Sequence, residues 1–181
     1  MRARGWIGGR ITSRAMRATI AGAVLLANTA PGTPMAARSA IATFRDWGAF
    51  REGPAGAATR CYAIAEPPRG TQAAGHGAFA SIADWPMRRI RAQLAIRLSH
   101  APRGSATLSI GDASFALVVR GQQAWAHDRH ADAAIVATMR SGSSMSVSGV
   151  TAGGIPFADA YRLRGAASAI DAAALACLPA R

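Results

Sequence analysis

The chain has 181 residues, 21 arginines, no lysine and nine acidic residues, for a formal charge of +12. With an N-terminal leader set aside, about 140 residues remain, which suits one domain with its own core. Its two cysteines have neither CxxC spacing nor a neighbouring histidine, which argues against thiol redox catalysis.

Arg2, Arg4, Arg10, Arg14 and Arg17 precede an apolar run over 18–27, ATIAGAVLLA, and then a stretch of small residues and breakers. This order is that of a secretory signal peptide: the charge stays on the cytoplasmic side while a short apolar helix enters the export channel. The run falls short of the roughly 20 apolar residues that a bilayer span needs. Asn28, Pro31 and Pro34 end it. The expected division is a signal peptide over 1–40, cut near 37–42 with Ala37 and Ala42 as candidates, and a single domain over 41–181. An uncleaved anchor and a basic cytosolic tail are the other readings of the same residues. No cysteine follows the apolar run as a lipoprotein anchor requires, and no twin-arginine pair precedes it. Export predicts a periplasmic or secreted protein.

Short β-like runs separated by turn residues fill the rest of the chain, the pattern of a sandwich or barrel. Trp47 centres a first strand over 46–50, and RCYAIA over 60–65 is a second. The segment 67–77 has two prolines and three glycines and reads as a loop, followed by a third strand over 78–82 closed by Trp85-Pro86. Over 90–98, Ile90, Ala92, Leu94, Ile96 and Leu98 alternate with polar or small residues, so one face is core and the other wet. Leu108 and Ile110 lie on the next strand. Gly111-Asp112 turns it into 114–120, with Phe115, Leu117 and Val119 inward, and 124–126 is a short strand. Ile135, Val136 and Met139 mark a helix over 132–140, capped by Asp132 and ended by Gly142. Strands over 145–149 and 157–163 follow, the latter aligning Phe157, Asp159, Tyr161 and Leu163. Ser168 and Asp171 resemble a capping box for a last helix whose inner face carries Ile170, Ala174 and Cys177. The expected fold is mainly β: an antiparallel β-sandwich of about eight or nine short strands with one internal helix and a C-terminal helix.

Cys61 and Cys177 form either one disulfide, as export favours, or two buried thiols. Without the five leader arginines, 16 arginines face nine acidic residues, a net charge of +7. Such an excess attracts anionic lipid, acidic polysaccharide or nucleic acid, the last least suited to an exported chain. Arg88, Arg89 and Arg91 form the one cluster, with Trp85 beside it, and are the candidate binding residues; a solvated turn is the plainer reading. His127 and His130, with Asp128 and Asp132, are spaced for a divalent metal, but Arg129 lies among them and Asp132 suits a cap better. No Gly-x-Ser-x-Gly elbow, paired carboxylates or phosphate loop stands out, so no catalytic residue and no cofactor is predicted. Trp47, Trp85 and Trp125 serve the core or a sugar-stacking face.

Several parts in order resemble the invasion-associated locus B family of exported alphaproteobacterial proteins. They are Phe44-Arg45-Asp46-Trp47, the Cys61-Tyr62 strand, the helix over 133–139, the Gly-led strand from Ser141, and Tyr161-Arg162-Leu163-Arg164-Gly165 before a terminal helix. Family members often pair two cysteines near the N-terminal strands; here the second is Cys177, which marks a divergent branch. The resemblance implies a secreted β-sandwich and brings no catalytic residues. The expected function is an exported, non-enzymatic, envelope-associated binding domain. It would contact a protein or an anionic polysaccharide or lipid through its Arg-rich surface. The alternatives are a small periplasmic hydrolase or metal protein using His127 and His130, and a purely structural envelope protein.

Overall fold

A computed structural model describes residues 38–53 and 59–178. The leader expected over 1–40 lies outside them as far as residue 37, and so does the cleavage candidate Ala37.

Among the described residues, ten strands form one open antiparallel sheet in the order β1-β2-β3-β4-β5-β8-β7-β6-β9-β10. They are β1 Arg38–Phe44, β2 Trp47–Glu52, β3 Arg60–Ala65, β4 Phe79–Trp85, β5 Ile90–Arg97, β6 Ala106–Ile110, β7 Ala113–Arg120, β8 Gln123–Trp125, β9 Ser144–Val150 and β10 Pro156–Arg162. The arrangement is sandwich-like, as the alternation of apolar positions predicts. The strand that sequence reading missed is β1. Its run RSAIATF, mostly small and polar apart from Ile41 and Phe44, resembles a cleavage region, and pairing with β2 makes it a strand.

One face of the sheet is core. Register aligns Ala49, Ala63, Ile82 and Leu94 across β2–β5, and Ala65, Ala80, Ile96 and Ala124 across β3, β4, β5 and β8. Leu108, Val147 and Asp159 continue it across β6, β9 and β10. Two helices cover this face: α3 (Ala166–Ala176) over β1 to β5, and α2 (Arg129–Ser141) over β5 and β7. Alanine on alanine lets α3 approach the sheet closely. The larger leucine, isoleucine and valine side chains each contribute about 1.5–3 kcal/mol by burial. A four-residue helix, α1 (Gln72–Gly75), interrupts the expected loop over 67–77, capped by the Thr71 hydroxyl.

The strict alternation expected over 90–98 holds from Leu94 onward only. Ile90 and Ala92 are half-buried, because the register shifts between Ala83 and Trp85 and Ala92 takes φ +51. The buried Asp84 carboxylate accepts the Ala92 N–H (2.7 Å) at this irregularity.

Two expected helix caps are corrected. Asp132 does not cap α2; Asp128 does, accepting the Ala131 N–H at 2.8 Å, so the helix starts at Arg129. Asp132 points inward and accepts the Leu94 N–H (2.8 Å). That donor is left over because β8 pairs with β5 only at Ile96 and Arg97. The Ser168–Asp171 capping box does not form either. α3 begins after Gly165, with no side-chain cap, and Asp171 pairs with Arg140 at 2.7 Å. Gly165 has φ +88, and a Cβ there would overlap the Phe44 carbonyl. The face that α3 buries is Ala166, Ala169, Ile170, Ala173 and Cys177; Ala174 is only half-buried. Of the two readings of the cysteines, the disulfide is the one formed: Cys61 on β3 joins Cys177 after α3, Cα atoms 5.7 Å apart.

Candidate binding face

Strand pleating sends alternate residues of β1–β4 away from the helices. On that outer side β2 carries Phe50 and β3 carries Arg60 and Tyr62, with Phe50 paired to Tyr62. The two rings stack with centroids 5.7 Å apart and planes 23° apart. The Arg38 guanidinium sits 4.1 Å from the Phe50 centroid and 5.5 Å from Tyr62. Arg60 lies 4.2 Å from Tyr62 and 5.1 Å from Trp85, and Arg88 lies 5.2 Å from the far ring, Trp85. Cations and rings thus form one row across four strands and into the turn after β4.

The ring faces carry negative potential and attract the guanidinium groups above them, worth about 0.5–1 kcal/mol per exposed contact. A guanidinium beside a ring can still donate its remaining N–H groups to a carboxylate or phosphate, where arginine binds two oxygens at once. Arg60 spends one edge on Glu52 (Nη2 to Oε1, 2.8 Å), while its buried Nε has no partner among the described residues. Burial pushes the Tyr62 phenol above its ordinary pKa, opposed by Arg38.

Arg38 also lines a groove of about 630 Å³, together with Arg45, Arg69, Arg162, Asp46 and Glu66. Asp46 is engaged by Arg164 (3.2 Å) and Arg162 (3.9 Å). The same corner fastens β2 to the end of β10, with the Trp47 indole donating to the Arg162 carbonyl at 2.9 Å.

Of the residues predicted to bind, Arg88 and Trp85 belong to this row. Arg89 and Arg91 are exposed just beyond it, Arg89 directly after the 3-10 turn Pro86–Arg88 and Arg91 near the start of β5. Arg38, Arg60, Phe50 and Tyr62 escaped sequence reading. They are scattered over 25 positions, and only strand register brings them together. Trp47 is buried, while Trp85 and Trp125 are half-exposed.

The histidine cluster is partly assembled. His127 Nε2 lies 3.0 Å from Asp128 Oδ2, both exposed, and His130 is exposed in the first turn of α2. Asp132 is committed to Leu94, and among the described residues no three metal-ligating side chains converge. The Asp128 carboxyl is held below its ordinary pKa, chiefly by the Ala131 N–H. A second polar group lies deeper. Asp159, 1 % exposed, accepts from Ser99 N (2.8 Å) and Oγ (2.5 Å), and Ser99 Oγ also contacts His100 Nδ1 (2.9 Å). Ser99 is itself only 3 % exposed, so its hydroxyl is sealed between β5 and β10 and ties them together.

Comparison with known family models, with curated proteins and with solved structures gives no match. The formed disulfide is consistent with an oxidising compartment. No helix among the described residues is long and apolar enough to cross a membrane.

Proposed function

We propose that this is an exported, non-enzymatic binding domain of a bacterial envelope, similar to the invasion-associated locus B family. On this reading its Arg-rich outer face contacts an anionic partner. The observation that carries the reading is the row Arg38–Phe50–Tyr62–Arg60–Trp85–Arg88, in which guanidinium groups lie over aromatic rings on a domain with excess positive charge. The leader supports export into the periplasm or the medium, and the Cys61–Cys177 disulfide is in keeping with that route. A cut on the Ala37 side leaves β1 whole and keeps Arg38 in the row, whereas a cut after Ala42 removes both.

The test replaces Arg38, Arg60 and Arg88 together by glutamate. Folding is checked by circular dichroism, and association with the native envelope fraction and retention on a sulfated-polysaccharide column are measured. Loss of both in a folded variant supports the reading; full retention of both overturns it. N-terminal sequencing of the protein outside the cytoplasm tests the leader and locates the cut.

A further inference from the structure

Among the described residues the most exposed large apolar side chain is Met87, at 85 %, ahead of Ile155 and Leu175 at 66 %. It stands at the apex of the turn between β4 and β5, with half-buried Trp85 before it and Arg88, Arg89 and Arg91 after it. No acidic residue interrupts 85–91, and the nearest carboxylate in the chain, Asp84, is turned inward onto the Ala92 N–H. We propose that this turn is a membrane-contact tip: Met87 and Trp85 enter the interfacial layer of an anionic bilayer, and Arg88, Arg89 and Arg91 meet lipid phosphates.

The proposal rests on the reading of the outer face as an anion-binding surface and names its partner as anionic phospholipid. The apex residue decides between possible partners. A methionine side chain in water gains nothing from a hydrated polysaccharide but gains from the acyl boundary of a bilayer. Trp is the side chain best suited to the interfacial layer, apolar over its rings and polar at its N–H. Clustered arginines are drawn to the negative surface potential of anionic lipid.

The tip is also pre-formed. Pro86 opens the turn, the Arg89 N–H donates to the Pro86 carbonyl (3.1 Å), and Trp85 pairs with Ile90 across its base. Arg89 and Ala92 are both held at positive φ (53° and 51°), which non-glycine residues adopt only at a cost. A tip already in shape loses little freedom on docking.

The purified protein is tested by co-sedimentation with vesicles of phosphatidylglycerol and phosphatidylethanolamine, against phosphatidylcholine alone. Trp85 insertion is read by quenching with brominated lipid, with Trp85→Phe to assign the signal. The wild type binds the anionic vesicles and is quenched. Met87→Asp, with an unchanged melting temperature and unchanged retention on the polysaccharide column, lowers vesicle affinity by about tenfold or more, and Met87→Leu restores it. Arg89→Glu and Arg91→Glu each lower it by about fivefold or more. The tip is overturned if the wild type ignores anionic vesicles or if Met87→Asp binds them as well as the wild type. Arg38- and Arg60-dependent polysaccharide retention surviving in that case leaves the anion-binding face standing with a different partner; its absence removes both readings.

Discussion

Strands β1–β4 carry opposite chemistry on their two faces. Beneath α3 lie Trp47, Ala49, Ala63, Ala80 and Ile82, all buried; on the other side lie Arg38, Phe50, Arg60 and Tyr62, with only Tyr62 fully buried. Small side chains bring the helix close and place the disulfide; rings and guanidinium groups hold each other in place without a covering layer. The same backbone register therefore serves stability on one face and recognition on the other. Substitutions on the inner face should move melting temperature and leave the affinity of the folded protein alone, and those on the outer face should do the reverse.

The largest inner-face effect comes from the disulfide. A bridge between residues 116 apart contributes up to about 4–5 kcal/mol by restricting the unfolded chain. The double variant Cys61→Ala and Cys177→Ala should lose stability toward that bound in urea titrations, with polysaccharide retention of the folded fraction intact. Gly165→Ala comes next. Its positive φ and the overlap with the Phe44 carbonyl should cost about 2–4 kcal/mol in the same titration.

Asp132 separates hydrogen bonding from charge. Asp132→Ala strands the Leu94 N–H in the core and should cost about 1–3 kcal/mol. Asp132→Asn keeps an acceptor. Burial raises the Asp132 pKa, so its charged form is the penalised one; the penalty is absent below the unfolded carboxyl range and grows as pH rises through the folded value. The asparagine variant should therefore match or exceed the wild type at neutral pH, and its advantage should vanish near pH 3. Asp171 has the opposite sign. Its pKa is lowered by the Arg140 hydrogen bond, so its contribution is present above the ordinary carboxyl range and fades as pH falls.

On the outer face the stability effects are smaller. Arg38→Ala should change stability by less than about 1 kcal/mol while weakening polyanion retention. The smallest expected effect is a gain: Arg89→Gly relieves a left-handed arginine and should stabilise by up to about 1 kcal/mol, at the expense of vesicle binding.

Much of the fold was legible because period-two alternation survives where a paired strand buries one face and not the other. Leu94, Ile96, Leu98, Leu108, Leu117, Asp159 and Tyr161 all face as their spacing predicts. The misreadings have local causes. β1 has only Ile41 and Phe44 as large apolar residues, set among small and polar ones and interrupted by a register shift between Ala40 and Ala42, and Ser168 and Asp171 fit a motif that Gly165 pre-empts by starting the helix one turn earlier. In the candidate site, Trp85 and Arg88 were legible as neighbours in sequence; Arg38, Phe50, Arg60 and Tyr62 were not.

The chain by itself determined a β-rich domain, its turns, its charge excess and the residue types able to meet anions, because these follow from periodicity, breakers and composition. The tertiary structure decided which cations share a row with which rings, where Asp132 points, and that Cys61 reaches Cys177. Those facts depend on register and crossover between strands far apart in sequence, and local spacing carries no record of either.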